Sequence, residues 1–145
     1  MTVRTATCAC GQLRVVCAGE PQLVSLCHCG QCQKRTGSAF GVAAFFRREA
    51  VTTDGRAQRH TRIGDSGMTI TFHFCPICGS SVFWEPQRKP DAVAVALGAF
   101  ADPAFLAPTQ EVYVEHRHRW FQLDLYDDAR LPKRHTVQKK PMIQP

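Results

Sequence analysis

The chain has 145 residues, a formal charge of +6 and an apolar fraction of 44%. These values are typical of one globular domain with its own core, and they exclude a disordered chain. No apolar run approaches the roughly 20 residues that a membrane-spanning helix needs. Residues 1–13 lack the apolar core of a signal peptide, so we expect a cytoplasmic protein with no membrane partner.

The basic residues are concentrated near the end of the sequence. Residues 130–140 contain five basic side chains and no acid. A nucleic-acid surface would interleave such charges with aromatic side chains, which this segment lacks, so nucleic acid is not an expected partner. We interpret residues 133–145 as a solvated, partly disordered basic tail that follows a folded domain at residues 4–132.

Periodicity predicts a mainly β protein in one domain. Residues 12–17 and 68–74 alternate between polar and apolar side chains, as half-buried strands do. Residues 81–85 return directly after residues 68–74, which predicts a hairpin. The dense apolar run at residues 38–46 favours a buried strand over a helix, because it is short and rich in aromatic residues. Further strands are predicted at residues 23–26, 58–63, 92–97, 111–115 and 119–125, and a sharp turn at residues 33–38.

Eight cysteines dominate the chemistry of the sequence. Disulfides are rare in a reducing cytosol, so this number favours metal binding. The predicted hairpin carries Cys75-Pro-Ile-Cys78-Gly at its turn, a strong signal for zinc, because two thiolates at this spacing can hold one ion. Two more ligands are needed to close such a site. By count, Cys8 and Cys10 are the best candidates, because they form the one other uncommitted pair.

Cys27, Cys29 and Cys32 form a second group within six consecutive residues. Neighbouring thiolates repel one another, so such a cluster makes physical sense when a cation neutralises it. Three protein ligands is the count of a zinc site with one position open for chemistry. Spacing alone favours this open site only modestly over a closed structural one.

Three residues could close the second site instead. Cys17 is in phase with its apolar neighbours, so a buried packing role is favoured for it over a ligand role. His28 lies between two of the cysteines, but alternation directs it away from them, and a surface or packing role is favoured. His73 is the remaining candidate for a fourth ligand.

Three motifs in order resemble one known family. They are CACG at residues 8–11, CHCGQCQKRTGSAF at residues 27–40 and FCPICGS at residues 74–80. This set is similar to the glutathione-dependent formaldehyde-activating enzyme family, also called the S-(hydroxymethyl)glutathione synthase or centromere protein V-like family. The similarity continues through PDAVAVALGAF at residues 90–100 and covers residues 4–132.

The resemblance implies a β-tent fold of antiparallel sheets with two zinc ions. It implies a structural zinc at Cys8, Cys10, Cys75 and Cys78, and a catalytic zinc at Cys27, Cys29 and Cys32. The implied activity is that of a carbon–sulfur lyase, which adds the thiol of glutathione, or a similar small thiol, to formaldehyde or a related small aldehyde.

Two basic residues follow the second cysteine group directly. We hypothesise that Lys34 and Arg35 help to attract an anionic thiol, although a solvated basic turn is the more ordinary role for each of them alone. The alternative function is a non-catalytic zinc-binding module that contacts a protein or nucleic acid on the same fold.

Overall fold

The computed structural model describes residues 1–123 and the backbone of residues 135–137. Within this part the chain forms eleven strands, one α-helix and three short 3₁₀ turns, so the prediction of a mainly β domain is confirmed. The elements in chain order are β1 (Val3–Thr7), β2 (Arg14–Ala18), β3 (Leu23–Cys27), α1 (Gly30–Thr36), β4 (Gly41–Arg47), β5 (Val51–Asp54), β6 (Gln58–Ile63), β7 (Thr69–Phe74), β8 (Ser81–Pro86), β9 (Ala92–Ala96), β10 (Gln110–Val112) and β11 (His135–Val137).

The strands form two sheets of different size. The small sheet has the antiparallel order β1-β2-β5. The large sheet has the order β11-β10-β3-β4-β9-β8-β7-β6. Within this order, neighbouring strands from β3 through β4, β9, β8 and β7 to β6 are antiparallel, as expected. Strand β10 instead runs parallel to both of its neighbours, β3 and β11. The expected antiparallel pairing is therefore found in most of the sheet, but not at this edge, where β10 returns to β3 after a long connection.

The two faces of the large sheet have different surroundings. Strand β4 shows this because its side chains alternate between the faces. Ala44 and Phe46 are fully buried against the small sheet, in the main core of the protein. Ala43 and Phe45 belong to a smaller cluster on the opposite face, together with Phe72. The second face thus carries apolar side chains that the small sheet does not cover.

A single helix connects β3 to β4. Cys29 is its N-cap and accepts a hydrogen bond from the N–H of Cys32, and Gly37 ends it in the left-handed conformation with φ 66°. Residues 33–38 were predicted as a turn. The turn at Gly37 is confirmed, but it ends a short helix, which the sequence pattern does not reveal because α1 has no buried apolar face.

Several predicted strands match the structure closely, and others do not. Strands β6 to β9 lie within one residue of their predicted positions. Strand β1 was missed. Of residues 111–115, the last two belong to a 3₁₀ turn at Val114–His116, and residues 119–123 form no strand. Residues 124–125, and the predicted tail apart from the backbone of residues 135–137, lie outside the described residues.

No helix among the described residues is long and apolar enough to cross a bilayer.

Candidate functional site

Four cysteines meet where two turns approach each other. Cys8 and Cys10 lie in the turn after β1, and Cys75 and Cys78 lie in the turn after β7. Their Sγ atoms all lie within 4.8 Å of one another, so together they could hold a metal ion. We call these residues the four-cysteine cluster. The structure thus brings together the two pairs that counting had combined.

Several donors point at the sulfurs of the four-cysteine cluster. The N–H of Leu13 lies 3.2 Å from Cys8 Sγ. The side-chain amide of Gln12 donates to Cys75 Sγ at 2.9 Å, and the N–H of Ile77 approaches the same sulfur at 3.4 Å. Donors of this kind stabilise thiolates and are typical of ligands in closed metal sites. The donor set therefore fits a structural zinc ion.

Ser80 links the two turns of this cluster. Its hydroxyl accepts a hydrogen bond from the N–H of Ala9 at 3.0 Å and lies 3.2 Å from Cys78 Sγ. Hydrogen bonding from the Ser80 side chain, followed by its N–H, lowers the pKa of Cys78 to about 5. The thiolate form that a metal requires is therefore favoured at this position.

The second cluster lies at the junction of β3 and α1. Cys27 is the last residue of β3, Cys29 caps the helix and Cys32 lies in its first turn. Their three Sγ atoms also lie within 4.8 Å of one another. We call these residues the three-cysteine cluster. The strand-to-helix junction brings these residues together. Cys29 caps the helix, and its Sγ lies 3.3 Å from the backbone nitrogen of Cys32.

The three thiols strongly perturb one another. Hydrogen bonds from Cys27 and Cys32 lower the pKa of Cys29 to about 2. The hydrogen bond to Cys29 in turn raises the pKa of Cys27. Ionisation of Cys29 is thus favoured, and ionisation of Cys27 is disfavoured. Three thiolates at this separation would need a cation to exist together, so the donor set fits a zinc ion.

None of the three candidate closing ligands joins the three-cysteine cluster within the described chain. Cys17 is fully buried in the main core beside Val15, and burial raises the pKa of its thiol to about 11. His28 points away from the cysteines and pairs with Glu111, and His73 pairs with Glu85. The packing roles predicted for Cys17 and His28 are those that the structure shows.

A cavity of about 200 Å³ extends from the three-cysteine cluster across the second face of the large sheet. All three cysteines line it. Its walls include the aromatic side chains of Phe45, Phe72 and Trp84, and most of its surface is apolar. An apolar concavity with a few convergent polar groups is the usual form of a small-molecule site. The four-cysteine cluster lies outside this lining.

A comparison with known families matches most of the described chain. Residues 3–116 match the family model described as "Glutathione-dependent formaldehyde-activating enzyme". The chain belongs to this family. The match includes all seven clustered cysteines and the whole of the cavity lining, so the cavity lies within the matched domain.

The comparison with solved structures supports the fold. A crystal structure of a Rhodobacter sphaeroides protein matches with a TM-score of 0.51 and 19% sequence identity, over 68% of this chain and 91% of the other. At this identity the likeness concerns the fold alone. A comparison with curated proteins produced no match.

The two basic residues that follow the cysteines lie in different surroundings. The Arg35 guanidinium lines the cavity and lies over Trp84, 4.3 Å from the ring centroid. Gly41 makes room for it, because a Cβ there would lie 3.2 Å from Arg35 Nη2. Lys34 is exposed and is not among the residues that line the cavity. Of the hypothesised pair, the structure brings only Arg35 to the site.

Tyr113 and Asp65 were missed by the sequence analysis. Both line the cavity, and the Tyr113 hydroxyl donates a hydrogen bond to the Asp65 carboxylate. Tyr113 has φ 56°, an unusual backbone conformation for a bulky residue and one often found at functional sites. Burial, followed by the hydrogen bond to Asp65, raises the pKa of Tyr113, so its hydroxyl stays protonated. No sequence signal marks this pair, because 48 positions separate its members.

The three-cysteine cluster rests on a buried polar pair. His28 is fully buried, and its Nε2 lies 2.6 Å from Glu111 Oε1. The N–H of His28 also donates to the carbonyl of Val112, so the peptide between Cys27 and Cys29 is held against β10. This arrangement fixes the direction of the backbone that carries two of the three cysteines.

Proposed function

We propose that the chain is a zinc-dependent enzyme of the carbon–sulfur lyase type, which joins a small thiol, glutathione or a similar one, to formaldehyde or a related aldehyde. The observation that carries this proposal is the opening of the three-cysteine cluster into an apolar cavity, with no fourth ligand among the described residues. The name of the family supports the substrate pair.

We assign the two clusters to two zinc ions. Cys8, Cys10, Cys75 and Cys78 would hold a structural ion, and Cys27, Cys29 and Cys32 would hold a second ion beside the cavity. When bound, zinc at the second site would supply a positive charge that neutralises thiolates and keeps a substrate thiol ionised at neutral pH.

The protein's own residues would provide binding and exclusion of water. The reaction joins the thiol sulfur to the aldehyde carbon, and the thiol proton ends on the former carbonyl oxygen. The cavity is lined by Phe45, Phe72 and Trp84, so it would hold the small aldehyde out of bulk water and close to the thiol. Arg35 would attract an anionic thiol from its place beside the cysteines.

The proposal is tested by following exchange between free formaldehyde and its thiol adduct by NMR. We expect zinc-loaded protein to accelerate this exchange, a chelator to abolish the acceleration and added zinc to restore it. Arg35→Gln should weaken the apparent affinity for an anionic thiol, whereas Lys34→Gln, the matched change one residue earlier, should not. If zinc-loaded protein does not accelerate the exchange above the uncatalysed rate with any thiol, the non-catalytic binding module is favoured instead.

A further inference from the structure

The cavity carries an excess of positive charge. Four basic side chains line it: Arg35, Arg62, Arg88 and Lys89. None of them forms an ion pair with a described residue. Asp65 is the one carboxylate of the described lining, and the Tyr113 hydroxyl already donates to it. The thiolates of the three-cysteine cluster would be balanced in large part by the second zinc ion. Cations gathered in a low-dielectric concavity attract an anionic ligand.

The aromatic side chains hold two of these cations in place. Arg35 lies over Phe72 as well as Trp84, with its Cζ 5.3 Å from the Phe72 centroid. Arg62 reaches the same ring from β6, with its Cζ 5.5 Å from the centroid. A guanidinium that stacks on an aromatic ring is positioned by the contact and keeps in-plane donors for a carboxylate. The arrangement is therefore organised before any ligand arrives.

Lys89 and the neighbouring Arg88 supply the other two positive charges. The Lys89 Nζ lies 4.8 Å from the centroid of Phe45. Burial, followed by the charge of the neighbouring Arg88, lowers the pKa of Lys89. Two like charges thus remain close together without an anion to balance them in the described structure. A bound carboxylate would relieve this repulsion.

The size of the cavity limits what the anion can be. Its volume is about 200 Å³, below the roughly 300–1,000 Å³ of sites that enclose drug-sized ligands. A tripeptide would therefore extend beyond it, and its outer groups would gain no contact from the cavity walls. A short thiol with one carboxylate would fit within it.

We propose that Arg62, Arg88 and Lys89, with Arg35, form a carboxylate subsite, and that the thiol substrate is a small mercaptocarboxylate rather than a tripeptide. This inference rests on the proposed function for the position of the thiol at the three-cysteine cluster. The carboxylate faces the basic wall of the cavity, and the short carbon chain lies along Phe72 and Trp84.

Calorimetry on the zinc-loaded protein tests the charge requirement with two thiols of similar size. We expect 3-mercaptopropionate to bind at least about tenfold more tightly than neutral 2-mercaptoethanol, as a charge-assisted hydrogen bond predicts. Arg62→Gln should remove most of this difference. Arg59→Gln is the matched control, because Arg59 is on the same strand but does not line this cavity. Equal binding of the two thiols, or an equal loss in the control, would overturn the subsite.

The size requirement is tested with glutathione under the same conditions. We expect glutathione to bind no more tightly than 3-mercaptopropionate, because its additional groups lie outside the cavity. Binding of glutathione that is tenfold tighter would show that the protein recognises the tripeptide, and it would overturn the proposed substrate class.

A thiol-free probe separates this inference from the proposed function. In a Trp120→Phe background the Trp84 indole N–H gives the one tryptophan side-chain NMR signal, since the chain has two tryptophans. We expect glutarate to shift this signal, and Arg62→Gln to prevent the shift. A shift without formaldehyde exchange would contradict the enzyme and support the subsite. If formaldehyde exchange occurs, but glutarate causes no shift and the two thiols bind equally, the enzyme is supported and the subsite is overturned.

Discussion

The two cysteine clusters use the same ligand atom in two very different settings. The four-cysteine cluster joins turns that lie 65 positions apart, and its sulfurs receive donors from Leu13, Gln12 and Ile77. The three-cysteine cluster is local, lies within one strand-to-helix junction, and opens into a cavity. A ligand set that spans distant turns stabilises the fold, whereas a local set beside a cavity can be lost without unfolding the chain.

The largest expected effect comes from the long-range cluster. We expect Cys75→Ser to unfold the protein, because a structural zinc ion contributes on the order of 10 kcal/mol, comparable with the whole stability of a small domain. Circular dichroism and metal content per chain would measure this. A folded Cys75→Ser variant that keeps one zinc ion would show that the four-cysteine cluster is not needed for folding.

Cys29→Ser should leave the fold intact and remove one zinc ion per chain. A serine hydroxyl is not ionised at neutral pH and is a poor zinc ligand, so exchange of formaldehyde should be lost with the second ion. Cys17→Ser is the matched control: it should keep both ions but lose about 1–3 kcal/mol of stability, since its hydroxyl would be buried in the core. If Cys29→Ser unfolds as completely as Cys75→Ser, the two clusters do not differ in role.

An intermediate effect is expected at the polar pair behind the three-cysteine cluster. Glu111→Gln weakens the charge-assisted hydrogen bond to the buried His28, so we expect a loss of about 1–3 kcal/mol in urea unfolding and weaker binding of the second zinc. Glu115→Gln changes the charge equally at an exposed position nearby and should cost less than about 0.5 kcal/mol. Similar losses in the two variants would show that Glu111 does not support the cluster.

The effect expected at Ser80 is confined to one metal site. Removing its hydroxyl in Ser80→Ala deletes the contacts to Cys78 Sγ and the Ala9 N–H. We expect the affinity of the four-cysteine cluster for zinc to fall about 10-fold to 100-fold, with the second site unchanged. Ser81→Ala provides the comparison, because the Ser81 hydroxyl has no hydrogen-bond partner among the described residues. Competition with a chromophoric chelator would measure both variants.

The strands could be predicted where residues that are neighbours in sequence set the pattern of burial. The sequence of β7 alternates between polar and apolar residues, and β8 returns after a short turn, so the hairpin and its cysteine pair follow from neighbouring residues. The helix α1 was not predictable from periodicity, because it buries no residue and is specified by the caps at Cys29 and Gly37. The parallel pairing of β10 with β3 was not predictable either, because it depends on a connection between distant segments.

The cysteine groups of the site can be read from the order of residues alone. Spacing defined Cys75 with Cys78 and the group around Cys29, since ligands of one ion often lie in one turn. Counting then assigned the one remaining pair, Cys8 and Cys10, to the same site as Cys75 and Cys78. The resemblance supplied the family, which the match over residues 3–116 shows.

The surroundings of those cysteines depend on how distant segments pack together. The tertiary structure placed Cys17 in the core, Arg35 at the cavity and Lys34 outside it. It also brought Tyr113 to Asp65 and gathered at the cavity four cations that form no ion pair with a described residue. These neighbours come from α1, from β6 and the loop after it, and from the segments that follow β8 and β10, and the packing of the sheet sets their distances. A cavity is a property of side chains from distant segments, so no local pattern in the sequence could reveal it.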